Sequence, residues 1–510
     1  MPEASVAIAA RPATGISGGS DPKPASSAAG LGRLVGGAMA VTVAGGIALA
    51  ATVGLGLLLA RAFDPASYGR TNVLLNEWLI LNLVSGFGLT VGATAASARW
   101  RVGGGQDEWD VLHLLRLVTL LFPLAVGAVW SLVQSDPFHT VVGLAVCGFM
   151  IQDFYIGSLQ GAGRFGAASL VVAFQPLLFV GTVGVALLAG LASPGLVIWA
   201  LFASNAAAAG LGAILVASGL PTFLPRRRIS WPQARRCIAL NLSFQVITFL
   251  QYGFVSLPIV IVGNAGQYAE AALLSVVLTL VRLVLVFLGP VLTGFYYART
   301  CQLVEGGDHR EVRRSFGLAA RLATLAGLAW AIGLASFPTL AIGTLYGRGY
   351  LDAASLLVTM MPLAPLLALD SVLTWTLIAQ RRAGAVVLAL GLRLSIGLGA
   401  VLAVALSPDS GLEVLGIGYD VATIIGLVVQ MIALSPMVGV RSYAPRLVVA
   451  LTFSSTLIGG LRQFVGQDDA SLIQAAFLVA GASLAVALVC VADPRTVTWL
   501  VEQARRRTKR

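Results

Sequence analysis

The sequence predicts an all-α integral membrane protein with about fourteen transmembrane helices and no soluble domain of any size. Three observations carry this. First, 57% of its 510 residues are hydrophobic and only 11% charged, with a mean hydropathy of +0.89, whereas a soluble domain carries about 25% charged residues. Second, the chain resolves into successive apolar runs of the ~20 residues that a spanning helix needs. Third, its basic residues fall on alternate connections between those runs.

In order, the apolar runs cover 34–60, 71–98, 112–133, 139–160, 168–190, 194–219, 238–262, 270–298, 315–344, 355–379, 384–406, 412–434, 447–465 and 471–492. The first is too long for the core of a signal peptide and is followed by many like it, so it reads as a retained helix. The thirteenth is the weakest, interrupted by Arg462 and Gln463. Ahead of the first run, the stretch Arg11 to Gly30 is rich in Pro, Ser, Gly and Ala and lacks an apolar period, so residues 1–33 are expected to be a disordered cytoplasmic tail.

The connections test the count. With fourteen spans, one set of loops plus the two tails holds 25 Lys and Arg, including Arg99, Arg101, Arg164, Arg226–Arg228, Arg299 and Arg381–Arg382. The opposite set holds four: Arg61, Arg70, Arg348 and Arg462. This asymmetry places both termini in the cytoplasm and explains the net charge of +11 without nucleic acid. Twelve spans is the main alternative. The tract Arg299 to Arg314 mixes acids and bases and reads as a solvated helix at the membrane surface.

Residues 68–99 align with 268–299 at a constant offset of 200, with matches that include Tyr68/Tyr268, Phe87/Phe287 and Arg99/Arg299. The repeat suggests a transporter of two parallel halves: an N-terminal lobe at 34–219 and a C-terminal lobe at 238–440, joined by a basic cytoplasmic linker at 220–237. Helices 13 and 14 (441–492) and a basic tail (493–510) follow.

Polar side chains inside spans are expensive in lipid and face a bundle interior or a water-filled cavity. Helix 7 of this count carries Asn241, Gln245, Thr248 and Tyr252 on one face. Helix 8 carries Ser275, Arg282, Gly289, Thr293 and Tyr297, and helix 2 carries Glu77, Ser85, Gly88 and Gly92. We take Arg282, Glu77, Asn82, Asn241, Gln245 and Tyr252 as candidate lining of a shared substrate cavity; for single Ser, Thr or Asn residues, interhelical hydrogen bonding is the plainer reading. Arg282 lies too deep to reach either surface. Arg116 and Arg321 are expected to snorkel to water, and Asp153 and Asp420 are further charges inside spans. Asp370 and Arg393 sit at equal depth on either side of a short turn, so they are expected to form a structural ion pair.

Four scattered cysteines and three distant histidines exclude a disulfide framework and offer no metal motif. With no phosphate-binding glycine loop and no Ser/His/Asp constellation, no cofactor and no enzymatic activity are expected. A membrane polymerase or glycosyltransferase would show a large outer loop, and every expected outer loop is short.

The stretch Leu57 to Arg99, with a Pro and a Tyr-Gly pair after helix 1 and a Phe-Gly-Leu segment in helix 2, resembles the opening of the polysaccharide biosynthesis flippases. Thr344 to Gly384 is similar to their ninth-to-tenth helix region. These proteins belong to the multidrug/oligosaccharidyl-lipid/polysaccharide exporter (MOP) superfamily. The resemblance implies two six-helix lobes around a central cavity lined by helices 1, 2, 7 and 8. It also implies transport of an undecaprenyl-pyrophosphate-linked sugar repeat across a bacterial cytoplasmic membrane by alternating access, with the lipid-linked oligosaccharide, membrane lipids and other polysaccharide assembly proteins as partners. Helix 1 has no charge within its span, a departure from what is expected of peptidoglycan-precursor flippases, and this favours an exopolysaccharide or O-antigen substrate. A cation-coupled multidrug exporter of the same superfamily is the runner-up, with Arg282 counting against it.

Overall fold

In the computed structural model the residues described are 27–86, 88–101, 106–191, 193–217, 231–406 and 412–438. They are helical throughout, with no strand among them. The first helices are α1 (Ser27–Ala62), α2 (Pro65–Ser85), α3 (Leu89–Arg101), α4 (Gln106–Gln134), α5 (Phe138–Gly161), α6 (Phe165–Leu188) and α7 (Pro194–Ala217). There follow α8 (Trp231–Asn264), α9 (Tyr268–Val291), α10 (Ala298–Glu305), α11 (His309–Ser336), α12 (Pro338–Leu345), α13 (Ala353–Met360), α14 (Leu363–Ala379), α15 (Ala383–Leu406) and α16 (Glu413–Val438). Among the described residues ten helices are long and apolar enough to cross a membrane, or eleven if α13 and α14, bent by 43°, are one span.

The helices run up and down between two ends. One end gathers the α1–α2, α4–α5 and α8–α9 turns and the α12–α13 segment; we call it the turn end. The other holds Arg164, Arg299, Arg310 and Arg381–Arg382 and is the basic end. Helices α3, α4 and α7 pack on α5, and α1 packs on α6. In the later half α15 packs on α16 and α8, and α11 on α14. Helix α2 crosses between these groups and lies against both α8 and α9. The two repeat segments are therefore direct neighbours, each starting at the turn end.

Several expected spans are broken, each at a residue that cannot continue a helix. The span expected at 71–98 divides into α2 and α3 at Gly86–Gly88, where Gly88 takes φ +62°, a left-handed conformation that glycine adopts without a steric penalty. Helix α2 also begins earlier than expected, capped by Asp64, whose carboxylate accepts from the Ala66 and Ser67 N–H groups at 3.0 and 3.1 Å. The span expected at 315–344 ends at Phe337 because Pro338 restarts the chain as α12. The α13–α14 bend sits at Met361–Pro362. A π-helical turn, Leu292–Tyr297, follows α9. The tract Arg299 to Arg314 is not one helix: α10 stops at Gly306–Gly307, and Asp308 starts α11 by accepting from the Glu311 N–H at 3.0 Å. Residues 27–33, expected in the tail, form the start of α1, and residues 231–237 of the expected linker open α8. The expected helices 13 and 14 lie outside the described residues.

Close packing rests on glycine at a few crossings. A Cβ on Gly157 would lie 2.3 Å from the Thr90 carbonyl oxygen, which is how α5 comes so near α3. A Cβ on Gly69 would lie 1.7 Å from the Tyr268 carbonyl oxygen, so backbone touches backbone where α2 meets α9.

Candidate functional site

The interface that α2 makes with α8 and α9 holds most of the polar residues expected inside spans. At the turn end it is shut. Gly69 rests on Tyr268, and Gly263 on Val73. Ser275 donates to the Asn72 side-chain oxygen at 3.0 Å, and Tyr68 meets Tyr350 edge to face, ring centroids 5.5 Å apart. Arg61 donates to the Thr344 and Leu345 carbonyls.

Glu77 sits just inside this seal. One of its oxygens accepts from Asn264 at the end of α8 (2.9 Å), and the other lies 2.7 Å from His139 Nδ1 at the start of α5. An ionised carboxylate only accepts, so the imidazole N–H is the donor. The two side chains are 12% and 7% exposed. Nearby, Arg70 donates to Asp136 at 2.6 Å. Burial pulls the Asp136 carboxyl up, but the Arg70 hydrogen bond, the Phe138 N–H and the Arg70 charge outweigh it and hold the group below its ordinary value. Two cavities meet at His139. One, of about 350 Å³, is polar and lined by Arg70, Ser135, Asp136 and Tyr268 among others. The other, of about 260 Å³, is apolar, runs between α2, α4 and α8, and includes Leu81, Phe122, Trp130 and Leu257.

Farther from the turn end, Arg282 lies on α9 with its guanidinium carbon 5.3 Å from the centroid of the Tyr252 ring on α8. Among the described residues no acidic side chain pairs with it. Gln245, two turns before Tyr252, fills the break in α2: its side-chain oxygen accepts from the Gly88 N–H at 3.0 Å and its amide donates to the Leu83 carbonyl. Asn82 contributes its carbonyl to the same break, accepting from the Gly86 N–H at 2.8 Å. Asn241 lies one turn before Gln245 on α8. Thus Arg282 and Tyr252 come together, Gln245 and the Asn82 carbonyl each bond backbone groups of the α2–α3 break, and Glu77 forms a separate group nearer the turn end.

Outside this interface, Arg393 donates to Asp370 at 2.7 Å, and both are almost fully buried. Gln430 of α16 donates to the other Asp370 oxygen at 2.9 Å, and the Arg393 guanidinium lies 4.6 Å from the Phe254 ring centroid. Arg116 does not snorkel. It is 6% exposed, its guanidinium carbon 4.8 Å from the Phe154 ring centroid and 5.6 Å from that of Tyr155. Its α4 face turns onto α5, so aromatic faces replace water. Reading the sequence missed His139, Asn264 and Asn72. His139 opens the apolar run 139–160, so a polar residue at a helix end was its available signal. Among the described residues no three His, Cys, Asp or Glu side chains are grouped to hold a metal ion.

Residues 168–355, from α6 into α13, match the family described as polysaccharide biosynthesis protein. An inward-facing multidrug-resistance MATE-family transporter of the MOP superfamily superposes with a TM-score of 0.64 at 13% identity, over 78% of this chain and 98% of that one. The chain has the fold of the MOP-superfamily transporters. The lipid II flippase MurJ, in an inward closed conformation, superposes with a TM-score of 0.54 at 12% identity, over 88% of this chain and 99% of that one. A MOP transporter from Pyrococcus furiosus, described by the reverse polarity of its binding pocket, gives 0.52 at 14% identity over 79% and 96%. No curated protein matches the chain. The family resemblance read from Leu57 to Arg99 and Thr344 to Gly384 agrees with these comparisons.

Proposed function

We propose that this transporter carries a lipid-linked oligosaccharide, with a pyrophosphate between lipid and sugar, across the bacterial cytoplasmic membrane for surface polysaccharide assembly. The observation that carries this is Arg282. It is a cation deep in a span, with an aromatic ring at 5.3 Å and no acid beside it among the described residues. A guanidinium in such a place costs several kcal/mol unless something compensates it, and a diphosphate offers it paired oxygens. Asn241, Gln245 and Tyr252 on α8 are the residues we assign to sugar hydroxyls, with Asn82 beside them. Two lobes, α1–α7 and the later helices, would rock about the α2–α8–α9 interface, exposing Arg282 first to one face and then to the other. The match over residues 168–355 supports the substrate class. The multidrug reading expects a cavity richer in acid than in base, and Arg282 opposes it. Deletion of the gene in its source bacterium tests the proposal. Lipid-linked repeats should accumulate on the cytoplasmic leaflet while surface polysaccharide disappears; normal surface polysaccharide would reject it.

A further inference from the structure

We propose that one zwitterionic phospholipid with a primary ammonium headgroup, of the phosphatidylethanolamine kind, seats between α2, α4 and α8 at the turn end and ties the two groups of helices together. The site stands apart from Arg282 and from the transported substrate.

The two cavities that meet at His139 are stacked along α4. The polar one takes in Gln134, the last residue of that helix, and the turn residues Ser135 and Asp136. The apolar one is lined on the same helix by Trp130, Val126 and Phe122. At ~1.5 Å per residue, Trp130 lies ~6 Å below Gln134, and Phe122 ~12 Å below Trp130. A bilayer is divided in the same proportions, with a polar layer of ~5–8 Å on each side and ~15 Å of hydrocarbon in each leaflet. The upper cavity therefore matches the depth of a headgroup and the lower one that of an acyl chain. Trp130 stands where the two meet, a level that indole rings favour in membranes. The lower groove opens to the bilayer, since Val84, Phe122, Val126 and Trp130 in its walls are exposed. Leu257 and Val260 of α8 form its other wall, so a chain lying in it touches both groups of helices.

Charge selects the headgroup. Among the described residues, the Lys, Arg, Asp and Glu side chains that line the two cavities are Arg70, Asp136 and Glu77. One cation against two carboxylates disfavours a headgroup of net negative charge, and disfavours the pyrophosphate of a lipid-linked oligosaccharide more strongly. Arg70 suits a single phosphate. Its side chain is 42% exposed, and of its five N–H donors one goes to Asp136 at 2.6 Å, which leaves others for phosphate oxygens. Asp136 accepts from Arg70 on one oxygen and from the Phe138 N–H on the other, at 3.0 Å. Each carboxylate oxygen has a second lone pair to offer. An ammonium beside the phosphate supplies the N–H for it, whereas a choline headgroup has none to give.

The test is native mass spectrometry of the full chain released from detergent, with phosphatidylethanolamine, phosphatidylcholine and phosphatidylglycerol of identical chains offered in equal amounts. Wild type should retain one phosphatidylethanolamine in preference to either of the others. Val126→Trp fills the groove from an exposed position and should remove the bound lipid; Val84→Trp serves the same purpose if Val126→Trp does not accumulate. Arg70→Gln removes a charge-assisted hydrogen bond and should weaken retention by about tenfold or more. Phosphatidylethanolamine should also raise the melting temperature of wild type by mass action, and not that of Val126→Trp. Equal retention by wild type and the Trp variants would overturn the proposal. So would phosphatidylglycerol or phosphatidylcholine held as well as phosphatidylethanolamine, because the polar cavity would then have no part in the choice. Displacement of the bound phospholipid by an undecaprenyl-pyrophosphate-linked oligosaccharide would overturn it too, by making the groove part of the transport path. A protein that retains phosphatidylethanolamine but flips no oligosaccharide would support this site and reject the function proposed above.

Discussion

Replacing Arg393 with Met should destabilise the protein severely, and replacing Asp370 with Leu in the same chain should largely repair it. In the native structure Asp370 is 4% exposed and accepts from Arg393 at 2.7 Å and Gln430 at 2.9 Å. Arg393→Met keeps the packing against Phe254 but leaves the carboxylate with one neutral amide. Removing one partner of a buried pair costs roughly 3–5 kcal/mol, whereas exchanging both for apolar groups of similar volume is often near neutral. The coupling energy should therefore lie toward the upper end of the ~0.5–3 kcal/mol found for contacting residues. The assay is a double-mutant cycle on thermal unfolding in detergent, with the monodisperse fraction by size exclusion as a second readout. Strictly additive losses, with the double variant as poor as the sum of the singles, would refute the reasoning.

Three other outcomes follow from particular contacts. Gly157→Ala pushes a Cβ to 2.3 Å from the Thr90 carbonyl within the first group of helices, so it should cost about 1–3 kcal/mol of stability and reduce folded yield; Gly69→Ala meets Tyr268 across the interface and should instead leave a folded protein whose turn end stays open, seen as a longer distance than in the wild type between spin labels on cysteines introduced at Ala66 and Ala269. Asp136 is held below the ordinary carboxylate value, so its contact with Arg70 adds stability above that value and loses it as pH falls through the lowered one; thermal melts of wild type and Asp136→Asn should therefore converge in acid below about pH 3.8 and differ modestly at neutral pH. A cysteine at position 136 should be labelled by an impermeant maleimide added from outside the cell, and labelling only from the cytoplasmic side would reverse the proposed orientation.

The membrane class was legible because composition and loop charge are summed over hundreds of residues and survive local irregularity. Where helices break was less so: Gly86–Gly88 and Met361–Pro362 lie inside long apolar runs, and hydropathy registers no bend. Pro338 was a visible stop signal that the length of the run outweighed. The Asp370–Arg393 contact could be read because a short turn fixes the depth of both residues, while Gln430, far along the chain, had no such tie. Arg282 was legible as an expensive residue, but its ring partner depended on how α8 faces α9. Glu77 carried a signal of cost without direction, and its partners His139 and Asn264 became visible only when α2 was seen crossing from one group of helices to the other.

The most direct test of the proposed transport is a flipping assay in proteoliposomes. A fluorescent lipid-linked oligosaccharide with a pyrophosphate bridge is placed in one leaflet, and its appearance in the other is timed. Wild type, Arg282→Lys and Arg282→Gln are compared at equal amounts of folded protein. The account predicts at least a tenfold slower rate for both variants, a loss of about 1.4 kcal/mol or more in the barrier, because lysine keeps the charge but not the planar fork. Flipping by Arg282→Gln at the wild-type rate would contradict it.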